Sequence, residues 1–102
     1  MFLTKTEREN LNLVDMNNRV GSHLNCFRFG VNESKEHILK KLEVFLELRE
    51  REENVITEAK FKTGRADVFS ITSGTAFEVL CSEKEKEALE KVYPVRIVLV
   101  KA

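Results

Sequence analysis

Between Ser34 and Glu50, Ile38, Leu39, Leu42, Phe45, Leu46 and Arg49 recur at spacings of three and four. That period predicts an amphipathic helix, with Asn32 to Ser34 supplying its cap. Lys35, Lys40, Lys41, Glu43, Glu47 and Glu50 fall mostly outside the stripe, on what reads as a solvated face. Beyond Asn54 the period shortens to two. Residues 55–62, 65–71 and 75–81 read as strands, separated by Thr63-Gly64 and Thr72-Ser73-Gly74, and so predict a three-stranded meander. Ser82, with Glu85 three residues on, is a capping box that opens a helix running to about Lys91. Tyr93-Pro94 stops it. Residues 95–100 form a last strand, whose continuous apolar run predicts a place in the middle of the sheet.

The first 31 residues read as an arm before a core of residues 32–102. Within the arm, Thr6 is placed to cap a short helix through Met16, with Leu11, Leu13, Val14 and Met16 as an incomplete stripe. Asn17 to Ser22 reads as a loop, and Cys26 to Val31 as an extended segment whose Phe27 and Phe29 join the core or a dimer contact in preference to stacking on bases, which needs exposed aromatics beside cations. The order helix, strand, strand, strand, helix, strand gives an α/β fold: helices flanking a mixed four-stranded sheet, with a right-handed crossover to the last strand.

A chain of 102 residues makes one domain, and 42% hydrophobic residues suffice for a core. No apolar run reaches membrane-spanning length. The N-terminus lacks the apolar core of a signal peptide. Cys26 and Cys81 have no metal-site or disulfide spacing. Together these features predict an intracellular, cytoplasmic protein with reduced thiols. The formal net charge is zero, which counts against extensive phosphate binding unless the basic residues gather on one face.

Acidic residues inside apolar strands require a reason, because Asp is depleted in strands and an unpaired buried carboxylate is costly. Asp67 stands between Ala66 and Val68-Phe69, and Glu78 between Phe77 and Val79-Leu80. A short hairpin joins their strands and makes them near neighbours, and like charges held close call for a cation. Mg²⁺ or Mn²⁺ takes carboxylate oxygens and still leaves room for a phosphate oxygen. Glu58 joins them from the preceding strand. By count it is not directly opposite Asp67, but a one-residue bulge brings the two close. Glu58, Lys60 and Lys62 share a face by the period of two, which sets a basic edge beside the acids.

Glu58, then Gly64-Arg65-Ala66-Asp67-Val68, then Phe77-Glu78-Val79, resembles the core of the PD-(D/E)XK nuclease superfamily. Glu33-Ser34-Lys35-Glu36-His37 is similar to the helix opening of competence-type members. The whole also resembles Holliday-junction resolvases and small nuclease-like proteins of archaeal viruses. The resemblance implies a restriction-endonuclease-like core over about residues 32–100 and a metal-dependent DNA endonuclease of replication, recombination or repair. It implies Mg²⁺ or Mn²⁺ on Asp67 and Glu78, with Glu58 completing the catalytic group. It also implies a homodimer acting on DNA, branched or single-stranded, contacted through Arg65 and Lys62. One position departs from the pattern: the superfamily's lysine, two residues after the Glu, is Leu80 here. Lys60 is the first candidate to replace it, Lys62 the second and Lys84 the third.

Plainer readings stand beside these. Asp67 and Glu78 suit strand acids paired with Arg65, Lys60 or Lys62. His37 suits a helix surface better than a metal site, because no second ligand has suitable spacing. His23 reads as a loop residue, and Tyr93 as packing at the base of the last strand. Leu80 and the zero net charge favour a catalytically impaired module that binds nucleic acid or a protein. A structural protein dimerising through its N-terminal arm is the third possibility.

Overall fold

A computed structural model describes residues 2–15, 24–80 and 94–102. The expectations for Met16, the loop to Ser22, His23, Cys81, the Ser82-capped helix, Lys84 and Tyr93 lie outside the described residues. Two helices, α1 (Lys5–Leu11) and α2 (Lys35–Glu50), accompany four strands: β1 (Val55–Phe61), β2 (Gly64–Ser70), β3 (Thr75–Leu80) and β4 (Arg96–Lys101). The chain is a small α/β fold built on one mixed sheet in the order β1-β2-β3-β4. β1 to β3 form the antiparallel meander and β4 runs parallel to β3.

β4 does not take the central place expected of it. Among the described strands it pairs with β3 alone, and its four apolar residues are only half-buried. An apolar run is compatible with burial, but strand order is decided by which partner the chain reaches. The first hairpin also differs by one residue. Phe61 pairs with Gly64, so Lys62 and Thr63 form the turn.

The Ser34 hydroxyl accepts the His37 N–H at 3.2 Å and starts α2 as its sequence predicts. The helix buries a different stripe, however. Lys41, Val44, Phe45 and Leu48 face inward, while Leu39 and Leu46 are 53% and 49% exposed. Val44, Phe45 and Leu48 pack on Val55 and Val68, with Phe27, Phe77 and Val100 at the margin. The opposite sheet face carries Ile56, Ala59, Phe61, Ala66, Phe69, Ile71 and Ala76, with Val14 buried among them and Leu3, Leu11 and Leu24 beside them. The N-terminal segment therefore belongs to the chain's own core.

Thr4, not Thr6, caps α1. Its hydroxyl accepts the Glu7 N–H at 3.0 Å, and its own N–H donates to Glu7 Oε1 at 2.9 Å. Glu7 Oε2 accepts from Asn54 Nδ2 and Thr72 Oγ1, each at 2.7 Å. One buried carboxylate thus ties the helix to the segment entering β1 and to the β2–β3 turn. The Thr4 N–H, then the Thr72 and Asn54 side chains, hold this carboxyl down from 4.5 to about 2, against the opposing push of burial. A carboxyl depressed on folding stabilises above its unfolded value, and that contribution is lost as pH falls from 4.5 towards 2. Glu7→Gln is expected to cost about 1–3 kcal/mol at pH 7. Urea unfolding should show the gap from wild type narrowing once the pH drops below the ordinary carboxylate range.

Candidate metal centre

The ladder between β1 and β2 is interrupted once. Thr57 pairs with Val68 and Ala59 with Ala66, leaving Glu58 and Asp67 unpaired across the same position. No residue is inserted, so the two acids are opposed directly, without the bulge expected from the sequence. Glu58 adopts a left-handed backbone with φ 56°, which costs a non-glycine residue about 1 kcal/mol or more. The interruption shifts the phase of both strands. Ile56 and Ala59 share one sheet face, as do Ala66 and Phe69, although residues three apart in a regular strand point opposite ways. The slip frees both carboxylates to reach α2. Beyond the slip, Ala59 and Phe61 share one face, so Glu58 and Lys60 still share the other, as expected, and both line one cleft, whereas Lys62 sits in the turn.

Lys41 meets Glu58 from α2. Its side chain is fully buried, its Nζ contacts Glu58 Oε1, and it lies 3.2 Å from Glu33 Oε1. The ammonium stands 5.9 Å from the Phe27 ring centroid. Arg65 Nε lies 3.2 Å from the other Glu58 oxygen. One helical turn earlier, His37 spans two acids, with Nδ1 3.3 Å from Glu33 Oε1 and Nε2 3.4 Å from Asp67 Oδ2. Asp67 Oδ2 also accepts the Val79 N–H at 2.7 Å. The result is a continuous chain of ionisable side chains: Asp67, His37, Glu33, Lys41, Glu58, Arg65.

Burial alone pushes the Glu33 carboxyl up. The Gly30 N–H, the Lys41 ammonium and the His37 charge outweigh it and hold the group below its ordinary value. Glu33, His37 and Asp67 each offer a ligand atom, all within 4.8 Å of one another. Nδ1 of His37 is buried and, despite the close approach of Glu33, makes no hydrogen bond. A buried nitrogen that makes no hydrogen bond and stands 3.3 Å from a carboxylate oxygen fits a divalent cation. Asp67 keeps lone pairs beyond the one given to Val79.

Glu78 is not brought into this group. The β2–β3 ladder ends at Val68↔Phe77, one position before Asp67 and Glu78 would meet. Phe77 packs on the α2 side of the sheet, and β3 pairs with β4 without interruption. Alternation therefore puts Glu78 on the other face. Asp67 turned with the phase slip and Glu78 did not. Leu80 is buried and fills space in the core. Among the three candidate replacements, Lys60 is exposed, 3.9 Å from Asp15, and Lys62 is exposed in the turn. Among the described residues, the lysine that the fold carries to Glu33 and Glu58 is Lys41; Lys84 lies outside them.

Sequence reasoning therefore missed Glu33, His37 and Lys41 as one unit. A signal was present: Glu33, His37, Lys41 and Phe45 recur every four residues, which aligns them on one helix face. Beside them opens a cleft of about 460 Å³, lined by Arg28, Phe29, Glu33, Glu58, Lys60 and Arg65 among others. Three cations, Arg28, Lys60 and Arg65, stand in its lining although the whole chain is neutral.

No family model, no curated protein and no solved structure matches this chain.

Removing Lys41 leaves Glu33 and Glu58 without their shared cation. Lys41→Met is expected to destabilise by about 3–5 kcal/mol at neutral pH, the usual cost of stripping one partner from a buried pair. Urea unfolding at pH 7 tests this, and adding Glu33→Gln and Glu58→Gln to Lys41→Met, which removes the stranded charges, should restore part of the loss.

Proposed function

We propose that the chain is a metal-dependent phosphodiester hydrolase acting on nucleic acid, with a restriction-endonuclease-like core. The observation that carries it is the juxtaposition of Glu33, His37 and Asp67, a set of metal donors, with a cleft rimmed by Arg28, Lys60 and Arg65. The order helix, antiparallel meander, parallel fourth strand supports the fold assignment.

In this proposal the metal set moves from Asp67 and Glu78 to Glu33, His37 and Asp67. A divalent ion bound there supplies Lewis acidity and a more acidic water. An imidazole among the donors shifts the preference from Mg²⁺ towards Mn²⁺ and the later first-row ions. The chain's own groups have distinct tasks. Lys41 is a positioning residue that holds Glu33 and Glu58 in place and favours the ionised form of Glu33. Glu58 holds the Arg65 guanidinium at the cleft, where it and Lys60 receive phosphate oxygens. A DNA substrate and a homodimer belong to the same proposal and rest on the superfamily resemblance.

A second reading, a binding module without catalysis, is favoured by the buried Leu80 in the superfamily's lysine position. Calorimetric titration with Mn²⁺ separates the two. Wild type should bind the ion, and His37→Ala should weaken it by at least about tenfold. Mn²⁺ should raise the thermal midpoint of wild type but not of His37→Ala. Plasmid cleavage with Mn²⁺ should fall in Asp67→Asn and His37→Ala and persist in Glu78→Ala. A wild-type chain that neither binds nor cleaves would remove the hydrolase.

A further inference from the structure

The segment entering α2 splits two neighbouring aromatics between opposite environments. Phe27 turns inward, its ring 5.6 Å from that of Phe45. Phe29 stays 57% exposed and lines the cleft. Its ring is backed by Phe27 at 6.0 Å, tilted by 40°. The backbone that presents it is held at both ends: Arg28 N–H donates to Thr57 Oγ1 at 2.9 Å, and Gly30 N–H donates to Glu33 Oε2 at 2.9 Å. Phe29 is thus a supported platform in water, and leaving a phenyl ring half in solvent forgoes burial energy.

Cations surround that platform. Arg28, Lys60 and Arg65 line the same cleft. Its acids, Glu33 and Glu58, share the one Lys41 ammonium beneath them, and Glu58 also meets Arg65, so the three lining cations with Lys41 outnumber the two carboxylates and leave a surplus of positive charge. Asp15, 3.9 Å from Lys60, offsets part of it. An aromatic face beside cations is the arrangement that takes unpaired bases, which stack on the ring while their phosphates meet the charges. A base inside a duplex has both faces covered by its neighbours and cannot use the ring. The volume, about 460 Å³, falls in the range of small-molecule sites and suits a splayed-out nucleotide.

We propose that Phe29, with Arg28, Lys60 and Arg65, forms a binding site for single-stranded nucleic acid, the base stacking on Phe29 and the flanking phosphates held by the three cations. The site names the substrate class of the proposed hydrolase and rests on that reading for its choice of polymer. Binding itself needs no metal. Failure of cleavage and failure of this site can therefore be told apart.

The test is fluorescence anisotropy of labelled homopolymer strands, deoxy and ribo, against a duplex of equal length, in EDTA and at two salt concentrations. The single strands should bind at least tenfold more tightly than the duplex. Phe29→Ala should lose about 5- to 100-fold, the range of one stacked base, whereas Phe29→Trp should retain binding. Lys60→Ala should weaken all strands and lower the salt slope by about one. Phe29 is exposed, so an unchanged urea midpoint in Phe29→Ala serves as the folding control. Binding of either strand that depends on Phe29 supports the site, and the strand bound identifies the polymer. Equal affinity for duplex and single strand, or Phe29→Ala binding like wild type, overturns it.

Discussion

A lysine ammonium with no solvent contact must bring its counter-ions into the fold. Lys41 does so with Glu33, just before its own helix, and with Glu58, on the first strand. An unpaired buried charge would cost several kcal/mol or more. The pairing therefore acts as a constraint on everything that touches it. It sets which face of α2 turns towards the sheet, leaving Leu39 and Leu46 in solvent and putting Val44, Phe45 and Leu48 on the core. It also accompanies the break in the β1–β2 ladder, where Glu58 takes a left-handed backbone instead of continuing the pleat.

That break connects packing to chemistry. A regular strand would give Glu58 and Asp67 the fixed alternation of their neighbours. With the phase shifted on both strands, each acid reaches a different residue of one helix face, Glu58 to Lys41 and Asp67 to His37. Strain of this kind persists where surrounding contacts over-determine it, and it clusters at functional positions. Here the contacts include a buried ion pair on one side and a close-packed apolar sheet face on the other. Glu7 plays a comparable part at the other end of the sheet, where it gathers donors from three segments on one carboxylate.

The departure at Leu80 gains a physical sense from this geometry. In the pattern that the sequence resembles, a Glu and a lysine alternate along the third strand. Here the third strand keeps an unbroken pairing with β4, and its residues serve packing. The acids that gather do so around α2, Glu33 from the position before its cap and Glu58 and Asp67 from the strand break beneath. A neutral chain thereby obtains a locally basic cleft, because Arg28, Lys60 and Arg65 in its lining, with Lys41 beneath, outnumber Glu33 and Glu58.

Local pattern alone determined much of this fold. The Ser34 cap, the extent of α2, the meander of three strands and the mixed sheet follow from side-chain periodicity, capping and turn chemistry, which act over a few residues. Asp67 and Glu58 also stood out, since acids inside apolar strands need partners. Only the tertiary structure decided which partners. Two overlapping helical stripes run along α2, and nothing local distinguishes the one containing Lys41 from the one containing Leu39 and Leu46. The choice depends on a carboxylate seventeen residues away in sequence. The shifted phase of β1 and β2 is likewise invisible locally, because it exists only when both strands lose the same pair. The edge place of β4 reflects pairing with one distant strand and not its own composition. Periodicity records which residues tolerate burial, but charge pairing and register are settled between segments, and those only the assembled fold brings into contact.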